Sequence, residues 1–258
     1  MARKHYTIPW NGTELSAAVD IPRTYRTPGT PKIPLIIICH GFIGSKTGVD
    51  RLFVKAAEGF AQHGMGVLRF DYMGCGESPG NYGDTTFEEM ITQTRAVIDH
   101  AFSLEWVDAD EVILLGHSLG GAAAVHALEG DQRISRLILW SAAAKPYKDI
   151  TRLLEEGARQ GSSIEYHGYT FTERYLSSLS GYEPLGLIDV FKGKTLFVHG
   201  SQDEEIPFSY SLQFNEACAN GQVHIVDGAS HTYSTASHFD ELQAVTLDWL
   251  IQSGKKPE

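Results

Sequence analysis

From Leu35 onward, short apolar runs alternate with longer segments in which apolar residues recur at helical spacing. Runs such as Leu35–Cys39 and Val112–Leu115 are apolar at every position, as expected of strands with both faces buried. This alternation implies right-handed crossovers and a mainly parallel sheet flanked by helices. Further strands are predicted at Val67–Phe70, Leu137–Trp140, Thr195–His199 and Val223–Val226, and helices at 50–63, 87–102, after Ser118, 208–219 and 239–251.

The N-terminal segment has the pattern of a hairpin. The extended runs His5–Ile8 and Leu15–Val19 flank an Asn11-Gly12 pair, which favours a tight turn between two antiparallel strands. With these two strands the predicted sheet has eight. Residues 24–34 are rich in Pro, Thr and Gly and predict a loop, and the tail from residue 254 is expected to fray.

The alternation stops between Ser141 and Lys194. Helical pieces are predicted there at Tyr147–Gln160 and Thr172–Ser180, with a β-like patch near Ile164–Phe171. Insertions of this length are usually lids or binding elements. We therefore expect a single domain over residues 1–258, with a small cap inserted after strand 6 at approximately 142–194.

The composition of the chain argues against some classes of binding partner. A formal net charge of −11 without any Lys/Arg block argues against nucleic acid and anionic membranes. There is no run of about 18 apolar residues and no apolar region after the first charges, which predicts a cytoplasmic protein. Three widely spaced cysteines lack metal-ligand spacing, so no metal is expected. The sequence does not determine the oligomeric state, and a homodimer is one of the alternatives.

The stretch Gly116–Gly120 reads Gly-x-Ser-x-Gly and joins a predicted strand to an alanine-rich helix. A serine on such a sharp turn is held out toward a ligand, and flanking glycines avoid clashes where side chains would not fit. This pattern predicts Ser118 as a nucleophile; the alternative is a serine that only caps the helix. His117 is expected to pack or hydrogen-bond behind the turn, away from Ser118.

A serine nucleophile requires a base and a carboxylate that orients it. Asp203 follows the strand Thr195–His199, and His231 follows the strand Val223–Val226. The carboxyl ends of parallel strands share one edge of a sheet, so both should lie near Ser118. The competing residues are Glu204, Glu205 and Asp227 for the acid, and His199, His224 and His238 for the base.

An oxyanion intermediate needs backbone N–H donors beside the nucleophile. The N–H of Leu119, directly after Ser118, is one candidate. The other is the N–H of Phe42, in the Gly-rich loop His40–Gly44 after the first parallel strand. His40 is predicted to fix this loop by hydrogen bonds.

Five segments together resemble the α/β-hydrolase family over essentially the full chain: His40–Phe42, Phe70–Ser78, Gly116–Gly120, His199–Asp203 and Gly228–His231. The His-Gly-Phe-x-Gly loop and the small cap also resemble bacterial carboxylesterases of the cinnamoyl (feruloyl) esterase type. Met73 departs from that pattern, in which arginine is common.

The resemblance implies a serine carboxylesterase that cleaves short-acyl or hydroxycinnamoyl esters through an acyl-enzyme and needs no cofactor. The alternatives are a peptidase or amidase, an acyltransferase, and a non-catalytic ligand-binding protein of the same fold. Four aromatic residues of the cap are predicted to contact substrate, the alternative being that they form the cap's own core: Tyr166, Tyr169, Phe171 and Tyr175.

Overall fold

The computed structural model of the chain describes residues 1–25 and 31–254. Residues 26–30 of the predicted loop, and 255–258 of the tail, lie outside the described residues. None of the described helices is long and apolar enough to cross a membrane.

An eight-stranded sheet forms the centre of the fold, in the order β1-β2-β4-β3-β5-β6-β10-β11. The Asn11-Gly12 pair joins β1 to β2, and both residues have positive φ (44° and 78°), as a tight hairpin turn requires. The pairs β1–β2 and β2–β4 are antiparallel, and the other five pairs are parallel, which confirms the predicted, mainly parallel sheet. Its strands are β1 (Ala2–Trp10), β2 (Thr13–Ile21), β3 (Ile33–Cys39), β4 (Gly66–Phe70), β5 (Val107–His117), β6 (Arg136–Trp140), β10 (Lys194–Gly200) and β11 (Gly221–Val226).

Helices cover both faces of this sheet. Strand β3 shows why, because its alternate residues Leu35 and Ile37 are buried in one core and Ile36 and Ile38 in the other. Helices α1 and α8 pack on the second core, and α2, α3 and α7 on the first. The helices of this layer are α1 (Leu52–Gln62), α2 (Phe87–Ser103), α3 (Leu119–Ala127), α7 (Ser209–Ala217) and α8 (Ala236–Ser253).

The segment between β6 and β10 carries its own small elements. They are α4 (Pro146–Leu154), an antiparallel three-stranded sheet of β7 (Ala158–Gln160), β8 (Ser163–Tyr166) and β9 (Tyr169–Phe171), α5 (Glu173–Ser178) and α6 (Pro184–Leu187). Helix α4 ends well before the predicted Gln160. The chain turns back at Gly157, where a Cβ would lie 2.5 Å from Ile164 of β8, so a side chain does not fit there.

The two strands that bracket this segment are direct neighbours. Arg136 of β6 pairs with Lys194 of β10, and Trp140 pairs with Val198, both in a parallel register. The chain thus leaves the sheet at one end of β6 and returns at the opposite end of β10, so the whole segment is a crossover connection.

Candidate active site

Ser118 lies on a strained turn between β5 and α3. Its backbone has φ 56° and ψ −128°, a conformation that costs an L-residue of order 1–3 kcal/mol. Neighbouring elements hold the turn, because the N–H of Ser118 donates to the carbonyl of Trp140 (3.0 Å) and the N–H of Ala143 donates to the carbonyl of Ser118 (3.1 Å). At Gly120, a Cβ would lie 2.3 Å from the carbonyl oxygen of His40, so only glycine fits.

Asp203 and His231 are joined directly, each in the loop after its strand. The Nδ1 of His231 lies 2.7 Å from Oδ2 of Asp203, and both side chains are buried. The other carboxylate oxygen, Oδ1, accepts the N–H groups of Glu205 (2.9 Å) and Ile206 (2.8 Å). Oδ2 also accepts a hydrogen bond from Nε2 of His199 (3.0 Å).

These contacts set the charges of the pair. Burial would raise the pKa of Asp203, but the hydrogen bonds from His199 and His231 outweigh it and hold this pKa well below its usual range. Burial would lower the pKa of His231, but the hydrogen bond and charge of Asp203, with the charge of Glu205, raise it above the ordinary value. The imidazole is therefore a stronger base than a free histidine.

Ser118 and His231 line the same cavity, whose volume is about 640 Å³. Among the described residues, no hydrogen bond joins the hydroxyl of Ser118 to the imidazole of His231. Such bonds are often long before substrate binds and tighten in the complex. The structure thus brings the three predicted residues to one site and joins two of them by a hydrogen bond.

The two predicted oxyanion donors flank the serine. A Cβ on Gly41 would lie 2.7 Å from Cβ of Ser118, which places the Phe42 loop against the nucleophile. Within residues 1–25 and 31–254, neither the N–H of Phe42 nor that of Leu119 donates to a protein acceptor. Phe42 lines the cavity, whereas Leu119 is fully buried at the start of α3.

His40 holds this loop in place. Its Nε2 accepts the N–H of Tyr72 (3.1 Å), and its Nδ1 donates to the carbonyl of Gly41 (2.9 Å). Burial lowers the pKa of His40 to about 4, so the ring is neutral near neutral pH. This matches the predicted role in fixing the loop.

The cavity has an apolar part and an acidic part. The apolar part is formed by Phe42, Ile43, Val49, Leu52, Phe53, Leu153 and Tyr166. The acidic part holds four carboxylates, Glu155, Glu156, Glu204 and Glu205, beside the single guanidinium of Arg152. The lining of the cavity thus combines apolar side chains with several negative charges.

Of the four aromatic residues predicted to contact substrate, only Tyr166 lines the cavity. Phe171 and Tyr175 have no exposed surface, and Tyr169 packs against Tyr82 with ring centroids 6.0 Å apart. The structure does not support substrate contact by these three. A segment this small needs aromatic rings for its own core, and they also cover Tyr82 of the main domain.

The competing acids and bases make other contacts. His224 pairs with Glu241 on the surface (2.8 Å), and Asp227 accepts the hydroxyl of Ser201 (3.0 Å). His199 is fully buried, and its Nδ1 accepts the hydroxyl of Ser211 (2.8 Å). His238 lies on α8, near Gly228.

Three residues lie near the base although the sequence did not predict them there. His117, expected to point away, lines the cavity, and its Nε2 donates to the carbonyl of His231 (3.0 Å). Glu205, considered only as a competitor of Asp203 for the acid, has Oε2 3.6 Å from Nε2 of His231. Arg152 of α4 donates to the carbonyls of Glu204 (3.3 Å) and Glu205. The one available signal was that Glu205 stands two positions after Asp203.

The part of the chain that the structure describes contains no group of three His, Cys, Asp or Glu side chains placed to hold a metal ion.

Known proteins resemble this chain in both sequence and structure. The family model Hydrolase_4, described as serine aminopeptidase, S33, matches residues 30–170 of the 258. The solved structure of Est1E from Butyrivibrio proteoclasticus with ferulic acid bound is 26% identical, has a TM-score of 0.84, and is matched over 96% of this chain and 98% of that one. The chain therefore has the α/β-hydrolase fold, as the five sequence segments implied.

Among curated proteins, an uncharacterized 31.7 kDa protein of Escherichia coli is 33% identical over 148 residues, 57% of this chain and 51% of that protein. A proline iminopeptidase of Saccharolobus solfataricus is 28% identical over 170 residues, 64% of this chain and 47% of that protein. The chain spans about half the length of these two relatives.

Proposed function

The chain belongs to the Hydrolase_4 family, described as serine aminopeptidase, S33, and within that family we propose that it is a serine carboxylic-ester hydrolase. Ser118 attacks the ester carbonyl while His231 takes the hydroxyl proton. Asp203 holds the imidazole in one tautomer and stabilises its cation. His231 then returns the proton to the leaving alcohol and activates the water that releases the acyl group.

The observation that carries this proposal is the Asp203–His231 hydrogen bond of 2.7 Å, buried beside a serine on a strained elbow. A surface histidine and aspartate would gain little from such a contact, whereas a buried pair has its tautomer fixed. The N–H groups of Phe42 and Leu119 supply the oxyanion donors that the tetrahedral intermediate requires.

For the substrate we propose short-acyl or hydroxycinnamoyl esters. The support is the likeness to Est1E, whose structure holds ferulic acid, over nearly the whole chain. The apolar part of the cavity, with Phe53, Leu153 and Tyr166, suits a flat aromatic or short aliphatic group.

A peptidase is the second candidate, and the acidic part of the cavity favours it. A carboxylate such as Glu155 or Glu156 would attract the ammonium of an amino-terminal residue. The likeness to a proline iminopeptidase supports this reading over a smaller part of the chain, 64% against 96% for Est1E.

The test compares hydrolysis of p-nitrophenyl acetate, methyl ferulate and aminoacyl p-nitroanilides by the parent chain and Ser118→Ala. We expect turnover of the esters and a loss of about 10⁴–10⁶-fold in kcat in the variant, with its circular dichroism unchanged. A fluorophosphonate probe should label only the parent. A preference for the anilides would replace the esterase by the peptidase, and full activity in Ser118→Ala would overturn both.

A further inference from the structure

The imidazole of His231 has a carboxylate beside each of its two nitrogens. Asp203 lies against Nδ1 (2.7 Å), and Oε2 of Glu205 lies 3.6 Å from Nε2. Both acids come from the single loop after β10, and the N–H of Glu205 donates to Asp203. Nε2 is the nitrogen that must accept the proton of Ser118 in the proposed reaction.

The Glu205 carboxylate is not neutralised by a neighbour. Within the described residues its one charged partner is His231, and its side chain is 47% exposed at the cavity. Arg152, on α4 of the segment between β6 and β10, donates instead to the backbone carbonyls of Glu204 and Glu205. This fixes the path of the loop and leaves the negative charge of Glu205 directed at the base.

We propose that Glu205 is a positioning residue of the catalytic base. Its carboxylate pairs with the Nε2–H of protonated His231, so the free enzyme holds the base unavailable to Ser118 until that proton leaves to solvent. The inference rests on the proposed function, since it assigns His231 as the base.

Every group packed around His231 has a definite effect on its charge. Asp203 and Glu205 favour the imidazolium, whereas burial disfavours it. His117 is itself neutral near neutral pH, because burial lowers its pKa to about 3. The Nε2 of His199 donates to the same oxygen of Asp203, Oδ2, that faces His231. Of these groups, only Glu205 is half exposed and able to move away.

The sign of the pH effect follows. Glu205 stabilises the protonated, inactive form, so removing its charge must free the base at lower pH. At 3.6 Å and with the screening of a half-exposed group, the shift should be about 0.5–1 pH unit.

The test is the pH profile of kcat/KM for p-nitrophenyl acetate in the parent, Glu205→Gln, Glu205→Asp and Glu204→Gln. In Glu205→Gln the midpoint of the acidic limb of this profile should lie about 0.5–1 pH unit below that of the parent. The midpoint in Glu205→Asp should lie between those of Glu205→Gln and the parent. Glu204→Gln removes the same charge from the adjacent position and should move the limb by less than about 0.2 unit.

A second readout does not depend on turnover. In the parent and in Glu205→Gln, each also carrying Ser118→Ala, NMR titration of the His231 imidazole should show the same downward shift. If His231 titrates at the same pH in the parent and in Glu205→Gln, the inference is wrong. It is also wrong if Glu204→Gln shifts the titration as much as Glu205→Gln does. Neither result would affect the esterase proposal. Failure of the esterase proposal is separate, because it is decided by Ser118→Ala alone.

Discussion

The ring of Phe42 packs against the ring of Phe171, with centroids 5.0 Å apart. Phe42 carries one of the two proposed oxyanion N–H groups, and Phe171 is the last residue of β9 in the segment between β6 and β10. Tyr175 of the same segment lies 6.2 Å from the Phe42 ring. Phe171 and Tyr175 do not line the cavity themselves. They pack instead against Phe42, whose loop does line it.

Phe171→Leu should lower kcat for p-nitrophenyl acetate by about tenfold, because a small displacement of an oxyanion donor is costly to catalysis. The free energy of unfolding should fall by about 1–2 kcal/mol. Phe197→Leu is the matched control, since Phe197 is equally buried but stacks on Phe214 of α7. The control should lose similar stability and keep its kcat. Equal losses of kcat in the two variants would contradict the coupling.

The strained backbone of Ser118 predicts an unusual order of stabilities. Ser118→Gly and Ser118→Ala should both be inactive, but the glycine variant should be more stable to urea by about 1 kcal/mol, because glycine adopts φ 56° without strain. At the exposed helical Ser177 the order should reverse, with alanine the more stable. An alanine variant as stable as the glycine variant at position 118 would mean that the turn is not strained.

Lys46 links the oxyanion loop to the loop after β4. Its ammonium contacts the carboxylates of Asp71 and of Glu77 (2.6 Å), and its side chain is only 8% exposed. Lys46→Met should reduce the free energy of unfolding by about 3 kcal/mol, because it leaves Asp71 buried without its cation. Glu77→Gln should change it little, since Glu77 is exposed. Chemical denaturation at pH 7 tests both, and equal effects would refute the assignment of the cost to Asp71.

Buried His117 predicts a loss of stability in acid. Its folded pKa of about 3 lies below the unfolded value near 6.5, so the unfolded chain binds the extra proton as the pH falls below 6.5. The contribution of His117 should therefore be intact above pH 7 and decline from about pH 6.5 toward pH 3. In His117→Asn the unfolding free energy should depend less on pH across this window than in the parent, and an equal dependence in the two proteins would contradict the assignment to His117.

The sheet and the order of Ser118, Asp203 and His231 could be predicted because strand periodicity and the loops after strands are local features of sequence. The contacts of Glu205 could not, since its distance to His231 depends on the path of the loop that Arg152 fixes. The packing of the Phe171 side chain could not be predicted either. An aromatic residue in a small segment can equally well belong to the core of that segment or line a ligand-binding cavity.

The crossover between β6 and β10 is required by the parallel register of these strands, whatever its length. Its first residues are tied to the main domain, because Ala143 donates to Ser118 and Ser141 donates to the carbonyl of Val198 (2.9 Å). After those anchors, residues that neither pack on Phe42 nor fix the loop of Glu205 can be exchanged without altering the register of the sheet. The residues of this connection that face the cavity can therefore be replaced by protein design, while the hydrolytic residues stay in place.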